Sequence, residues 1–250
     1  MTARKHSHYL RKLFFIASPA LLLLFAFPTH LLAQPSPVQV SVNFPSGDPK
    51  GTPARSSGGG KRGNFSCLTI DKNKPTLTAL MPTRENKSLT LSENPDFYLY
   101  IPQTKAQIGE FILRADEEDI YQTSFKLPGQ PGIVKLTIPP KVSLKTGSTY
   151  QWYFTIVCNP DDRSADEYTE GTIERTAISS SVSQALEKAT PLKQAEIYAK
   201  YDIWPETMTK VVQMREEKPN EWQGLLKSVG LEVIADEPLL NITELSDNQP

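Results

Sequence analysis

The chain has 250 residues, with 27 Lys and Arg against 28 Asp and Glu, two cysteines and three histidines. All three histidines, His6, His8 and His30, lie in the first 33 residues, so the remainder has no imidazole for a Ser-His or Cys-His pair or a His-ligated zinc. A formal charge of −1 without a dense Lys/Arg cluster disfavours nucleic acid, which needs a basic footprint.

Residues 1–33 read as a secretory signal. Arg4, Lys5, Arg11 and Lys12 precede an apolar run from Leu13 to Phe27, and Leu31-Leu32-Ala33 offers a small residue at the cut, with Gln34 as the new N-terminus. The rival reading is an uncleaved anchor, but the run is shorter than the ~20 residues a span requires. No later segment is apolar enough to cross a bilayer, and no stable transmembrane anchor is expected after cleavage. No Cys lies near the cut to take a lipid. Residues 34–63 are a Pro-, Gly- and Ser-rich lead-in, expected to be flexible. Val38, Val40, Val42 and Phe44 alternate with polar residues there, the pattern of an edge strand over 38–44. The Gly58 to Gly63 run is not a phosphate loop, because Arg55 replaces its first glycine and Arg62 its Ser or Thr.

From 64 to 177 the sequence predicts a mainly β domain, an immunoglobulin- or fibronectin-like antiparallel β-sandwich. Eight short runs carry it, at 77–80, 89–91, 97–101, 110–114, 120–126, 134–138, 150–157 and 168–175, separated by turn residues. Leu144, Gly147, Tyr150 and Trp152 form the sharpest local pattern: a Leu, a turn Gly and a Tyr entering a strand, as in a tyrosine corner whose phenol bonds a nearby backbone carbonyl. Tyr150, Trp152, Phe154 and Ile156 share one strand face. That ladder is read as core, with a sugar-stacking platform as the alternative. Cys67 and Cys158 both belong to the exported part, where an oxidising compartment favours pairing them; a redox or nucleophilic thiol is the alternative.

After Cys158, Asp161, Asp162, Asp166 and Glu167 make the densest oxygen cluster. Calcium is the cofactor such a cluster would hold, although its spacing is not that of an EF-hand and a solvated turn explains it as well. Asp116 to Asp119 reads as a charged hairpin tip. A carboxylate-pair glycosidase needs no histidine. A Ser-x-x-Lys nucleophile fails at Ser183, because Leu186 stands where the Lys should be.

Between 178 and 236 the apolar period lengthens to about 3.6, predicting a small helical region of four short helices. Val182, Ala185, Leu186 and Ala189 form one stripe; Met208, Val211 and Val212 with the Arg215 stem form another. Pro191 and Pro205 suit first turns, and Trp222, Leu225, Leu226 and Val229 repeat between an Asn220 cap and a terminating Gly230. Trp204 and Trp222 are expected in helix contacts, with exposure as partner-binding anchors the alternative. Residues 237–250 are read as a flexible tail that frays from Leu239.

Leu77 to Pro82, Pro95 to Pro102, Tyr150 to Phe154 through Cys158, Glu170 to Arg175, and the Ile197-Tyr198-Ala199 and Ile203-Trp204 stretches together resemble the cyanobacterial domain-of-unknown-function family number 928. The resemblance runs from the Gly-rich lead-in through the helices, with Met81 where Val is expected. It implies an exported cyanobacterial protein and supplies no activity or catalytic residue. Two functions follow: a non-enzymatic interaction module for an envelope or periplasmic protein, or a carbohydrate-binding or carboxylate-dependent sugar-acting protein.

Overall fold

The computed structural model describes residues 42–44, 67–82 and 87–245. The expected signal, its cleavage site and most of the lead-in lie outside the described residues.

Among the described residues, ten strands and four α-helices follow in chain order: β1 (Thr78–Ala79), β2 (Lys87–Thr90), β3 (Asp96–Ile101), β4 (Ile108–Ala115), β5 (Glu118–Lys126), β6 (Gly132–Thr137), β7 (Thr149–Val157), β8 (Glu167–Arg175), α1 (Ser180–Lys188), α2 (Pro191–Lys200), α3 (Trp204–Gln213), α4 (Pro219–Ser228), β9 (Leu239–Leu240) and β10 (Thr243–Leu245). The protein is mainly β, with two sheets and C-terminal helices. One sheet runs β1-β3-β6-β9 and the other β10-β5-β4-β7-β8-β2. All eight expected runs appear as strands.

Alternation decides which face each strand buries. Along β4, Phe111 and Leu113 point inward, and along β7 so do Tyr150, Trp152, Phe154 and Ile156, all buried. The ladder is therefore core. Phe97 of the first sheet meets Phe111 and Trp152 of the second, both at 5.3 Å between ring centroids. The sheets face each other across these rings. Opposite Trp152 stands Gly171, where a Cβ would lie 2.7 Å from the indole; only glycine leaves the ring its place.

The antiparallel expectation is corrected at the edges, where β2 runs parallel to β8 and β9 parallel to β6. Both strands arrive by long connections, which permit a parallel approach that a tight hairpin forbids. Asp116 and Glu117 do form a two-residue hairpin tip, with φ of 48° and 68°, the left-handed pair that matches strand twist.

The helices start where local chemistry allows. Ser179 and Thr190 accept from Val182 and Lys193 backbone N–H groups to cap α1 and α2. Proline occupies the first turn of α2, α3 and α4. Asn220 is not a cap: Pro219 begins α4 and Lys218 precedes it, since proline has no N–H to leave unpaired at that position. The stripe expected on α1 buries only Leu186. Gly230 ends α4 at φ 75°, as a left-handed helix stop requires.

The tail departs most from expectation. Leu239 and Leu240 pair with Ile133 and Val134, and Thr243 to Leu245 pair with Lys126, Phe125 and Ser124. The described part of the tail thus adds an edge to each sheet, because backbone pairing needs no apolar period to attract it. Glu244 accepts from the Tyr121 and Thr123 hydroxyls at 3.0 and 2.6 Å, and Lys74 forms an ion pair with buried Glu237. Of the expected strand over 38–44, only 42–44 are described. They are not strand, and they pack with the helices.

Candidate functional site

Three polar regions are capable of chemistry. The first is the acidic loop between β7 and β8. Asp162 caps a 3-10 turn by accepting from the Ser164 N–H at 3.0 Å, and the Ser164 side chain, together with this backbone bond, lowers its pKa. Asp166 accepts from the Cys158 N–H at 2.9 Å and pairs with Arg163, which also reaches Glu110 at 2.7 Å. Asn159 Oδ1 accepts the Asp161 N–H. Asp161 and Glu167 are not drawn to a common centre with Asp162 and Asp166: among the described residues no group of three Asp, Glu, His or Cys is placed to hold a metal ion.

The second is the disulfide, which joins Cys67 to Cys158 and leaves no described cysteine free. Thr104 donates its hydroxyl to the Cys67 carbonyl at 3.1 Å. The bridge ties the segment before β1 to the start of the acidic loop. At the sandwich's other end the corner forms with a changed bond: the Tyr150 hydroxyl accepts the Lys145 N–H at 2.8 Å, rather than donating to a carbonyl. Gly147 turns the chain there at φ 81°, and Leu144 is buried. The Leu144 carbonyl is taken by Arg175 at 2.6 Å, which also binds Glu93 at 3.0 Å.

The third region is a cleft where α3 meets the loop between β2 and β3. It is lined by Ser92, Asn94, Asp96, Pro205, Glu206 and Thr209, among others, with a volume of about 140 Å³. Glu206 lies in the first turn of α3, where the helix N-terminus favours a carboxylate. Its Oε1 accepts from the Thr90 hydroxyl and from the Leu91 and Ser92 N–H groups at 2.7, 2.8 and 2.9 Å. Its Oε2 is buried and meets no donor among the described residues. Burial outweighs those bonds and pushes the Glu206 carboxyl up from its ordinary value. Asp96, across the cleft, is saturated: Thr137 donates to Oδ1 at 2.5 Å, Thr209 to Oδ2 at 3.1 Å, and Lys135 lies 3.5 Å away.

Beside this cleft the segments that carry the family resemblance converge. The Trp204 indole N–H donates to the Leu80 carbonyl at 2.7 Å, and Ala79, Met81, Phe97 and Trp152 line the same space, a void of about 20 Å³, room for one water. Trp222 donates to the Ala235 carbonyl at 2.7 Å and carries the Arg215 guanidinium 5.2 Å over its ring. Both tryptophans are buried, 3% and 2% exposed, so neither is presented as a surface anchor. Sequence reasoning missed Glu206, Asp96 and Arg175. For Glu206 a signal existed, an acidic residue just inside a Pro-started helix; for the other two, only the fold makes the partners visible.

These features define a disulfide-bridged, mainly β two-sheet protein whose C-terminal helices are clamped to the sheets by buried polar bonds. The profile of the family described as Domain of Unknown Function (DUF928) matches residues 57–239, and the chain belongs to that family. No curated protein matches the chain. Among the described residues no helix is long and apolar enough to cross a membrane.

Proposed function

We propose that the protein acts outside the cytoplasm as a non-enzymatic interaction module, an immunoglobulin-like frame whose helical unit meets an envelope or periplasmic protein. The observation that supports this reading is where the reactive side chains are engaged. Asp162 and Asp166 accept from their own loop and strand end, Asp96 accepts from Thr137 of β6 and Thr209 of α3, and Glu206 clamps α3 to the segment after β2. The disulfide agrees with an oxidising compartment. Photo-crosslinkers placed on exposed positions of α1 and α4, and in parallel on β5, test it in envelope extract. A defined partner captured from the helices and not from β5 is expected; equal or no capture from the helices overturns the reading.

One observation favours a second reading, a sugar-acting protein. Glu206 and Asp96 line one cleft, and burial raises the Glu206 carboxyl's pKa; two carboxyl groups on one cleft, one of them shifted up by burial, is how a general acid and its partner are built. A glycan array with a hydrolysis screen decides it: a saturable signal lost in Glu206→Gln supports this reading, and silence in both removes it.

A further inference from the structure

The cleft between α3 and the loop from β2 to β3 holds a cation that meets no anion. Lys210 lines it together with Ser92, Asn94, Asp96 and Glu206. Among the described residues only Lys74 and Lys210 are half-buried lysines, and the rest are exposed. Lys74 pairs with Glu237, whereas Lys210 has no ion pair or hydrogen bond to any described residue. A lysine on a helix ordinarily finds its carboxylate four positions earlier, and Glu206 occupies that position in α3. Its Oε1 is turned instead to Thr90, Leu91 and Ser92. Asp96 is likewise engaged, by Thr137, Thr209 and Lys135. Both carboxyl groups of the cleft therefore serve other partners, and a partly buried ammonium is left without the counter-ion that would offset its desolvation.

The opposite wall carries an acceptor and a donor side by side. Asn94 donates its amide to the Pro139 and Val142 carbonyls at 3.0 and 3.2 Å, which leaves its Oδ1 as an acceptor. Ser92 Oγ accepts the Asn94 N–H at 3.0 Å, and its own proton meets no acceptor among the described residues. A hydroxyl is donor and acceptor at once, so neighbouring ring hydroxyls match this pair. The volume of about 140 Å³, equivalent to about five waters, suits one sugar ring rather than a chain. Small ligands are held in such clefts by a few placed polar groups.

We propose that this cleft binds an acidic sugar, a uronate, with its carboxylate on Lys210 and its ring hydroxyls on Ser92 and Asn94. The inference rests on the sugar-acting reading of the same cleft and adds the charged group that selects the substrate. A carboxylate that reaches Lys210 meets little opposing charge. Asp96 stands beside Lys135, 3.5 Å away, and burial raises the Glu206 pKa, which lowers the negative charge on that side.

Ligand-observed NMR titration of the protein with methyl glucuronoside, methyl glucoside and acetate tests the proposal. Saturable binding of the glucuronoside is expected, with the glucoside and acetate each about tenfold weaker or more, since one lacks the charged hydrogen bond and the other the hydroxyls. Lys210→Gln should weaken the glucuronoside about tenfold, to the level of the glucoside. Lys210→Arg, which keeps the charge, should restore it, and Lys227→Gln, at an exposed lysine of α4, should leave it unchanged. Equal affinity for glucuronoside and glucoside overturns the uronate and leaves the sugar reading standing. Acetate bound as tightly as the glucuronoside, or Lys210→Gln binding like the native chain, also overturns it. Binding of none of the three by a chain of native circular dichroism does the same, while the glycan array and hydrolysis screen judge the sugar reading by themselves.

Discussion

The sandwich and the helical unit are held together by different means. In the sandwich, alternating apolar residues meet across two sheets, and the polar groups that matter sit at its ends, the disulfide at one and the Tyr150 corner at the other. The helical unit is built of short helices whose buried residues, Trp204, Met208, Val211, Trp222, Leu225 and Leu226 among them, continue the core of the sheets. It is fixed in addition by individual donors and acceptors: Trp204 to Leu80, Glu206 to Thr90, Leu91 and Ser92, Arg215 to the Glu237 carbonyl. Helices of about ten residues are marginal alone in water, so such a unit depends on its attachments, whereas a sandwich carries its stability in its own core.

This contrast is open to test, beginning with the largest effect. Replacing Cys67 and Cys158 together by Ser should cost about 4–5 kcal/mol, because the bridge closes a loop of 91 residues; denaturant titration should show the midpoint fall for strand and helix signals alike. Trp222→Ala should cost about 3–5 kcal/mol and should uncouple the two regions, with helical signal lost before strand signal. Coincident transitions for this variant would mean that the helical unit is no separate layer of stability.

Glu206 sharpens the comparison further. Glu206→Ala leaves three donors without their acceptor and should cost about 2–4 kcal/mol, while Glu206→Gln keeps an acceptor oxygen and should fold. Burial raises the Glu206 pKa in the folded chain, so the folded form holds its proton more tightly than the unfolded one. The stability that Glu206 supplies is full below its unfolded pKa of about 4.3 and is lost as pH rises through the higher folded value. Relative to Glu206→Gln, the native chain should therefore lose stability as pH rises above about 4.3, and parallel pH profiles would reject the raised pKa. Asp162 has the opposite sign, since its folded pKa is lowered: its contribution is present above the unfolded value and lost as pH falls. Being fully exposed, it should move the midpoint too little to resolve.

The smallest measurable effect is expected at the corner. Tyr150→Phe should destabilise the sandwich by about 1 kcal/mol, because the Lys145 N–H loses its acceptor. An unchanged melting midpoint would show that water replaces the phenol there.

Much of the sandwich was legible because period-two burial is written into each strand: Tyr150, Trp152, Phe154 and Ile156 alternate with outward residues, and the structure buries that face. The four helices were legible from proline positions and apolar spacing. The tail was not. Leu239 to Leu245 carries no run long enough to announce a strand, and it became one only because β6 and β5 offered unpaired edges. The cleft was hidden for a related reason: sequence density pointed to Asp161 to Glu167, but adjacent carboxylates on a loop are solvated and self-satisfied, whereas a single acid under a helix N-terminus attracts no notice until its donors arrive from Thr90 to Ser92.

By itself the amino-acid sequence determined the mainly β body and the helical appendix, which follow from local periodicity and turn chemistry, the pairing of its only two cysteines, and, through the resemblance of its motifs, the family. Tertiary structure alone decided that Glu206 meets the segment after β2, that Glu221 meets Val42, and that the tail joins both sheets. Those contacts join residues more than a hundred positions apart, and no local pattern encodes a hydrogen bond whose donor and acceptor are brought together only by the packing of everything between them.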